Sequence, residues 1–504
     1  DEAQYWDWTR HLQLTYYSKG PLIAWIIWAF TRIFGDTELG VRMGSIVGSA
    51  LFPLLIWWLV GRLWKRPLMG VLAAMLIAVA PLFQALGILM TTDNPFVLCW
   101  TLCIIALYAA ATPTDPNSGQ NDGQNGGRDR GWWPYALLAL AFGVGILAKY
   151  TMLGLAGLAG LYALLLHRQG LLPKGFVPRA LLALAVGMAL GFLPTLIWNM
   201  QNDFVGYKHV ASLIGVSGAA AHKAFRFGRV PEYLGSMLGF SLPWWYVLTL
   251  ISGWRAARLT LWNTPANKER AEGLSYQQAA LLSLFFWPMT LFFFAWSFHA
   301  QVLANWNAVS FVAAVLLCAA GLERLLTRPR SRRQNRWLAA GAIASLVLAV
   351  FIHTQQMMPI PPSLNPSHKL KGWSDMGQHM AQVAEREFGT RERVFYFSEV
   401  YDITAALAFY VPGQQQAYCL WTTDRRMNQY DLWPGPTDKV GWNAIMVVRP
   451  DTRWAPPSLT EMFARVEGPF RYVATLRGQP VRTFHYFLCR GYTGAWPRHE
   501  TGAY

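Results

Sequence analysis

Charge is what this 504-residue chain has least of: Asp, Glu, Lys and Arg together make up 14% of it, against about 25% in soluble proteins. That shortage excludes a soluble enzyme of several ordinary domains. Apolar residues reach 54% and aromatic ones 14%, which excludes a disordered chain, since disorder goes with few of either. No repeat with a fixed period of roughly 20–50 residues is evident. No RNP, zinc-finger or helix-turn-helix signature accompanies the net charge of +16, so a nucleic-acid partner is not expected. Acids are scarce beside bases, 27 against 43, and the positive-inside bias of membrane proteins supplies such an excess without one. The chain reads as a polytopic α-helical membrane protein.

Runs of about 20 apolar residues are the unit of a spanning helix. Ten are expected, at 41–61, 67–88, 95–111, 133–148, 150–167, 178–198, 235–254, 277–297, 304–323 and 336–353. The 14 residues of Pro21–Phe34 follow a polar segment and read as a helix lying in the interface. Lys and Arg are twice as frequent in alternate connections. One side holds Arg62, Lys65, Arg66, Arg168, Lys174, Arg179, Arg255, Arg258 and the run of arginines from Arg324 to Arg336, and this side is expected to be cytoplasmic. The Gly/Asn-rich stretch Asp115–Gly131 falls on it and reads as a flexible linker. Residue 1 and everything after about 354 then face outward. An outward start requires an upstream inward-to-outward helix, so a first span ahead of Asp1 is expected.

Residues 1–353 therefore form a membrane domain and residues 354–504 a small extracytoplasmic α/β domain, in which charges rise and no apolar run reaches span length. Asp375–Phe388 reads as an amphipathic helix, and Arg393–Phe397, Ala444–Val448, Tyr472–Leu476 and Thr483–Cys489 read as strands. An oxidising outer compartment would permit a Cys419–Cys489 disulfide, but sequence does not show that the pair meets. Cys99 and Cys103, one helical turn apart within a span, are expected to pack rather than bind metal.

The outer face carries the candidate chemistry. Its first segment holds Asp1, Glu2, Asp7 and Lys19, and its second turn reads Thr91-Thr92-Asp93-Asn94-Pro95. Carboxylates at span ends are uncommon, and functional when they face the bundle. Asp93 is either such a group or, with Thr92, a solvated helix cap ahead of Pro95. Lys19, behind Tyr16 and Tyr17, either snorkels to headgroups or binds a lipid phosphate. Lys149 is expected mainly to anchor a helix end. His299 and Gln301, beside Asn305-Trp306, line a cavity or belong to an interfacial belt.

The order of these features resembles the membrane glycosyltransferases of the GT-C type, specifically the bacterial family related to protein O-mannosyltransferases and the lipid A aminoarabinose transferase. The matching segments are Asp1-Glu2-Ala3-Gln4-Tyr5-Trp6, Tyr17-Ser18-Lys19-Gly20-Pro21-Leu22, Phe34–Arg42 and Thr92-Asp93-Asn94-Pro95. Leu147-Ala148-Lys149-Tyr150-Thr151, Asn305-Trp306 and Arg426–Trp433 also match, more loosely. The resemblance implies a GT-C-like fold in a bacterial inner membrane. It implies transfer of a sugar from a polyprenyl-phosphate donor to a lipid, glycan or protein acceptor on the outer face. It places the acidic pair just after a first span, in agreement with the charge argument.

On this resemblance Asp1 is the expected general base and the reaction inverts. Asp93 orients the acceptor or the sugar, or shares a divalent cation, Mg²⁺ or Mn²⁺, with Asp1. Lys19 stabilises the departing phosphate, with a cation from Lys208, His209, Arg226 or Arg229. Glu2, Tyr17 and Asn94 flank the substrates, and Arg426, Asn428 and Tyr430 either close over the sugar or sit in a solvated loop. Ser18 and Gly20 depart from the aminoarabinose-transferase pattern, which has Glu and Pro there, so its donor head group does not carry over. The rival reading, a polyprenyl-lipid flippase or transporter, would call for ionisable residues in mid-span, and almost none are present.

Overall fold

A computed structural model describes residues 1–112, 131–213, 227–355, 358, 370–422, 425–451 and 458–497. Most of the linker Asp115–Gly131, together with Arg226, lies outside them. The chain forms two compact units. One comprises Lys19–Asp203 and Ile214–His353, and the other Asp1–Ser18, Phe204–Leu213 and Thr354–Tyr504.

The first unit is a helical bundle with the composition of a membrane protein. Among the described residues, seven helices are long and apolar enough to span: Glu38–Leu63, Asp93–Ala111, Tyr150–Arg168, Phe176–Gln201, Tyr276–Trp296, Asn305–Thr327 and Arg332–Thr354. Two further runs, expected as single spans, are broken. Pro67–Val79 and Pro81–Ile88 meet at 63°, and Phe227–Ser241 and Pro243–Leu261 at 99°. Both breaks precede a proline, which drives the residue before it out of the helical region. Ala80 is extended at ψ 124°, and Leu242 has a positive φ of 64°. The tenth run, Trp133–Ala148, is a short helix of 16 residues. Ten continuous spans thus become seven, two bent pairs and one short helix. Leu22–Phe34 is short as well; it buries Ile23, Ile27 and Thr31 on one face, the i, i+4 spacing of a helix packed on one side.

Asp93–Ala111 and Asn305–Thr327 are the inner helices, whereas Arg332–Thr354 is peripheral. Cys99, Cys103 and Cys318 are buried in the apolar core. The short helix Trp133–Ala148 is fixed by close packing on Phe176–Gln201. A Cβ on Gly191 would come within 2.5 Å of the Gly143 carbonyl oxygen, and one on Gly187 within 2.6 Å of that of Ala139. This small-residue seam lets two backbones touch.

At the end assigned to the cytoplasm, Glu272 takes hydrogen bonds from Arg255 and, at 3.0 Å, from Arg324. Arg66 pairs with Glu323 and donates to the Glu272 carbonyl at 3.0 Å. Residues from three separate connections thus meet in one network at one end of the bundle.

The second unit is α/β. Its sheet runs β2-β1-β3-β5-β4, with β1 Val394–Ser398, β2 Ala417–Cys419, β3 Asn443–Val448, β4 Phe463–Leu476 and β5 Gln479–Tyr492. β1 pairs in parallel with β2 and β3, and β5 is antiparallel to β3 and β4. Phe395, Phe397, Met446, Phe463 and Phe487 fill one core. The helices Trp373–Phe388 and Tyr401–Tyr410 supply the other buried positions. The hairpin is longer than expected, closing through Arg477 and Gly478, both at positive φ, as a two-residue turn demands. Cys419 and Cys489 are both buried and unbonded to each other.

Asp1–Ser18, expected within the membrane domain, folds into this unit instead. Asp1 is the exposed N-cap of a helix, Glu2–Thr9. Trp6 packs edge-on against Phe409, and Trp8 stacks on Tyr16. Asp7 is buried at 2% exposure, 3.3 Å from Arg10. Burial pushes its carboxyl up from 3.8 to about 6, against the pull of Arg10 and the neighbouring Tyr430 phenol. A carboxyl whose pKa is raised on folding stabilises the fold below its unfolded pKa, and that stability is lost as pH rises through about 6. The full effect is about 3 kcal/mol. Asp7→Asn is therefore expected to flatten the change in thermal stability between about pH 4 and pH 7 and to raise the melting point at the neutral end. Melts followed by tryptophan fluorescence check this, and an unchanged pH slope would contradict it.

Candidate functional site

Four polar side chains converge at helix ends of the bundle unit. Asp93 opens the Asp93–Ala111 helix, where the N-terminal dipole favours a carboxylate. Thr91 accepts a hydrogen bond from the Asp93 N–H at 3.3 Å. Lys149 caps the short helix Trp133–Ala148 in extended conformation, ahead of the 3₁₀ turn Tyr150–Leu153. Asn305 sits in the 3₁₀ turn Ala304–Asn307. Asp93 is 2% exposed, and both its oxygens are taken. Lys149 Nζ lies 2.8 Å from Oδ1, and Asn305 Nδ2 donates to Oδ2 at 2.6 Å. Asp93 thus faces the bundle, and Lys149 does more than anchor a helix end: its ammonium turns inward to neutralise a buried carboxylate.

Lys19 joins them because of Gly20. A Cβ on Gly20 would fall 2.0 Å from the Leu147 carbonyl oxygen, so only glycine lets this strand of chain lie against the end of the Lys149 helix. The residue is solvent-exposed overall, yet its ammonium is hemmed in. Burial lowers its pKa, repulsion by Lys149 lowers it further, and Asp93 pulls it back. Two ammonium groups against one carboxylate leave the cluster net positive, with Lys19 at its exposed edge. Such a site suits an anion.

The other expected site residues fall elsewhere. Asn94 is buried and structural: it accepts from the Thr91 N–H at 2.7 Å and donates to the Leu86 carbonyl, closing the turn that presents Asp93. Arg229 pairs with Glu232 at 3.7 Å. In the α/β unit Glu2 is half-buried in the first turn of its helix. Tyr17 is 2% exposed, packs on His209 at 4.5 Å and donates its N–H to Gln429 at 2.7 Å; Lys208 is exposed. Asn428 and Tyr430 are not placed to close over a sugar. Asn428 caps a 3₁₀ turn, accepting from the Tyr430 N–H at 2.9 Å and donating to Cys419. Tyr430 is buried beside Asp7. Arg425 and Asp431 pair at 2.8 Å beneath them, and Arg426 alone of the three expected residues is exposed. Among the described residues no group of three His, Cys, Asp or Glu side chains could hold a metal, and each oxygen of Asp93 is already bonded, one to Lys149 and one to Asn305.

Residues 18–198 match the family described as dolichyl-phosphate-mannose-protein mannosyltransferase. Among curated proteins the chain is 26% identical to a lipid A galacturonosyltransferase of Rhizobium johnstonii, over 71% of this chain and 67% of that one. It is 23% identical to an undecaprenyl phosphate-α-4-amino-4-deoxy-L-arabinose arabinosyl transferase of an Enterobacter species, over 69% of this chain and 57% of the relative. The chain thus spans between 57% and 67% of the length of these two. Crystal structures of ArnT from Cupriavidus metallidurans, without ligand and bound to undecaprenyl phosphate, superpose with a TM-score of 0.59 at 16% identity, covering 97% of this chain and 93% of theirs. That likeness establishes the shared fold.

Proposed function

We propose, from its relation to the GT-C membrane glycosyltransferases, that the chain moves a sugar from a polyprenyl-phosphate donor to a lipid acceptor at the outer face of a bacterial inner membrane. The observation that carries this reading is the net positive Lys19–Asp93–Lys149 cluster at the ends of apolar helices. Two of the curated proteins it resembles are named as a lipid A galacturonosyltransferase and as an arabinosyl transferase of an undecaprenyl-phosphate aminoarabinose. Ser18 and Gly20 depart from the aminoarabinose pattern, so the donor head group of those enzymes does not carry over.

The acceptor hydroxyl attacks the anomeric carbon and yields its proton to Asp1, whose role rests on the opening motif. The bond between that carbon and the phosphate oxygen breaks with inversion. The phosphodiester leaves as a monoester and so gains one negative charge. Lys19 meets that growing charge, and charge placed in advance is often the largest catalytic contribution. Asp93 holds Lys149 rather than acting as a base, since Lys149 bonds one of its oxygens and Asn305 the other.

Recognition of the phosphate is checked by melting. Undecaprenyl phosphate at about a hundred times its dissociation constant should stabilise the protein by about 2.7 kcal/mol, and the uncharged polyprenol should do far less. Lys19→Ala should remove most of the difference. Equal shifts from the two lipids would contradict the reading.

A further inference from the structure

A second concave site lies in the α/β unit, where nothing above calls for one. It is a cavity of ≈ 240 Å³ lined by Gln415, Gln416, Tyr418, Thr437, Asp438 and Lys439, together with the 434–435 turn. Two segments make it: the chain entering the edge strand β2, and the loop that continues from Trp433. That loop is not slack. Its start is fixed by the Asn428 cap and the Arg425–Asp431 pair, and Trp433 packs on His11 at 4.5 Å. At its end the Lys439 ammonium lies 4.2 Å from the ring centre of Trp442 and 3.2 Å from Asp438. Tyr418 is 7% exposed, set edge-on against Phe395 and Trp496.

The lining is polar and partly open to solvent, with Thr437 and Asp438 exposed. Among the described residues the side chains of Gln415, Gln416 and Thr437 make no hydrogen bond, although both glutamines are half-buried. Each amide offers donors and an acceptor, and the threonine hydroxyl offers both. Asp438 and Lys439 cancel in charge, so the site does not select an anion as the Lys19 cluster does. A ring of ambivalent polar groups beside a fixed aromatic side chain, without net charge, matches a ligand bearing several hydroxyls, each both donor and acceptor. The volume lies below the roughly 300–1,000 Å³ of pockets for drug-sized ligands, which fits one sugar ring rather than an extended glycan.

We propose that this pocket is a saccharide-binding site, taking a single neutral sugar ring, and that it is separate from the transfer chemistry. Such a ring is available from the head group of a glycolipid or from a free glycan. The site needs no transferase activity to exist, so its test is binding alone.

The experiment is ligand-observed saturation-transfer NMR on the whole chain in nanodiscs, with N-acetylglucosamine and its N-acetylated disaccharide as neutral free-glycan probes. Lipid A doped into the discs serves as competitor. Inorganic phosphate is the control. Saturable sugar binding is expected, weakened at least tenfold by Gln416→Ala and by Thr437→Val and left unchanged by Lys19→Ala. Competition by the doped lipid identifies the glycolipid as the source, and its absence identifies free glycan. Because either single variant could act through loop packing, Asp438→Asn serves as a third, isosteric probe, expected to weaken sugar binding without drawing in phosphate. No saturable sugar binding, binding indifferent to all three variants, or phosphate binding as tight as sugar would each overturn the proposal.

Discussion

Lys149→Met is expected to destabilise the bundle unit by about 3–5 kcal/mol, because it leaves the Asp93 carboxylate buried without its cation. The magnitude follows from burial. Asp93 is 2% exposed and its partner's side chain 19%, so water screens little of the interaction; Asn305 carries no charge, and Lys19, at the exposed edge of the cluster, offsets only part of the loss. A lysine that only anchored a helix end would cost less than about 1 kcal/mol, as exposed pairs do. Asp93→Asn beside Lys149→Met should restore most of the stability, since the amide carries no charge to be stranded. The coupling energy of this double-mutant cycle is expected to exceed about 2 kcal/mol, read from unfolding in mixed micelles. Additive losses would show that the two groups do not act as a pair. Restored stability with transfer still absent would separate the structural role of the pair from its place in the site.

Sequence reasoning located the apolar segments because composition alone selects them; it could not see their direction. Hydropathy is the same on both sides of Ala80 and Leu242, yet the prolines that follow bend the chain by 63° and 99°. Asp93 and Lys19 stood out because a charge among apolar residues is visible in one dimension. Lys149 was undervalued for the converse reason. A lysine after a short apolar run looks the same whether it reaches outward or inward, and what turns it inward is tertiary packing. The Gly143, Gly187 and Gly191 seam and the contact of Gly20 with Leu147 settle it. The signal the sequence offers for it is the segment Leu147-Ala148-Lys149-Tyr150-Thr151. Asn428 and Tyr430 show the opposite error, since polar residues between strands read as solvated loop. Here their bonds run to Cys419 and to neighbouring backbone, and Tyr430 sits beside a buried acid. The β4–β5 hairpin was cut short because Arg477-Gly478 is a weak turn signal and β4 contains a bulge between Glu467 and Phe470.

The largest losses of activity are expected at Asp1 and Lys19. Removing a general base costs about 10²–10⁴-fold, so Asp1→Asn should lower the rate of transfer on that scale and leave donor binding intact. Removing a preorganised charge from the developing phosphate costs about 10²–10³-fold, the range expected for Lys19→Ala. Lys19→Arg keeps the charge and should retain part of the rate. It should also move the alkaline limb of the pH profile upward. Lys19 loses its proton at a lower pH than an ordinary lysine, so activity that needs the ammonium falls as pH rises through that lowered value, whereas arginine stays protonated.

The measurement that tests the central claim most directly is transfer of label from a panel of polyprenyl-phosphate sugars to a bacterial membrane extract, with the parent protein beside Asp1→Asn and Lys19→Ala. Transfer of one sugar by the parent, with inverted anomeric configuration and collapse in both variants at unchanged expression, is the predicted result. Movement of the donor between leaflets without any transfer, or full transfer by both variants, would contradict the account and favour a flippase.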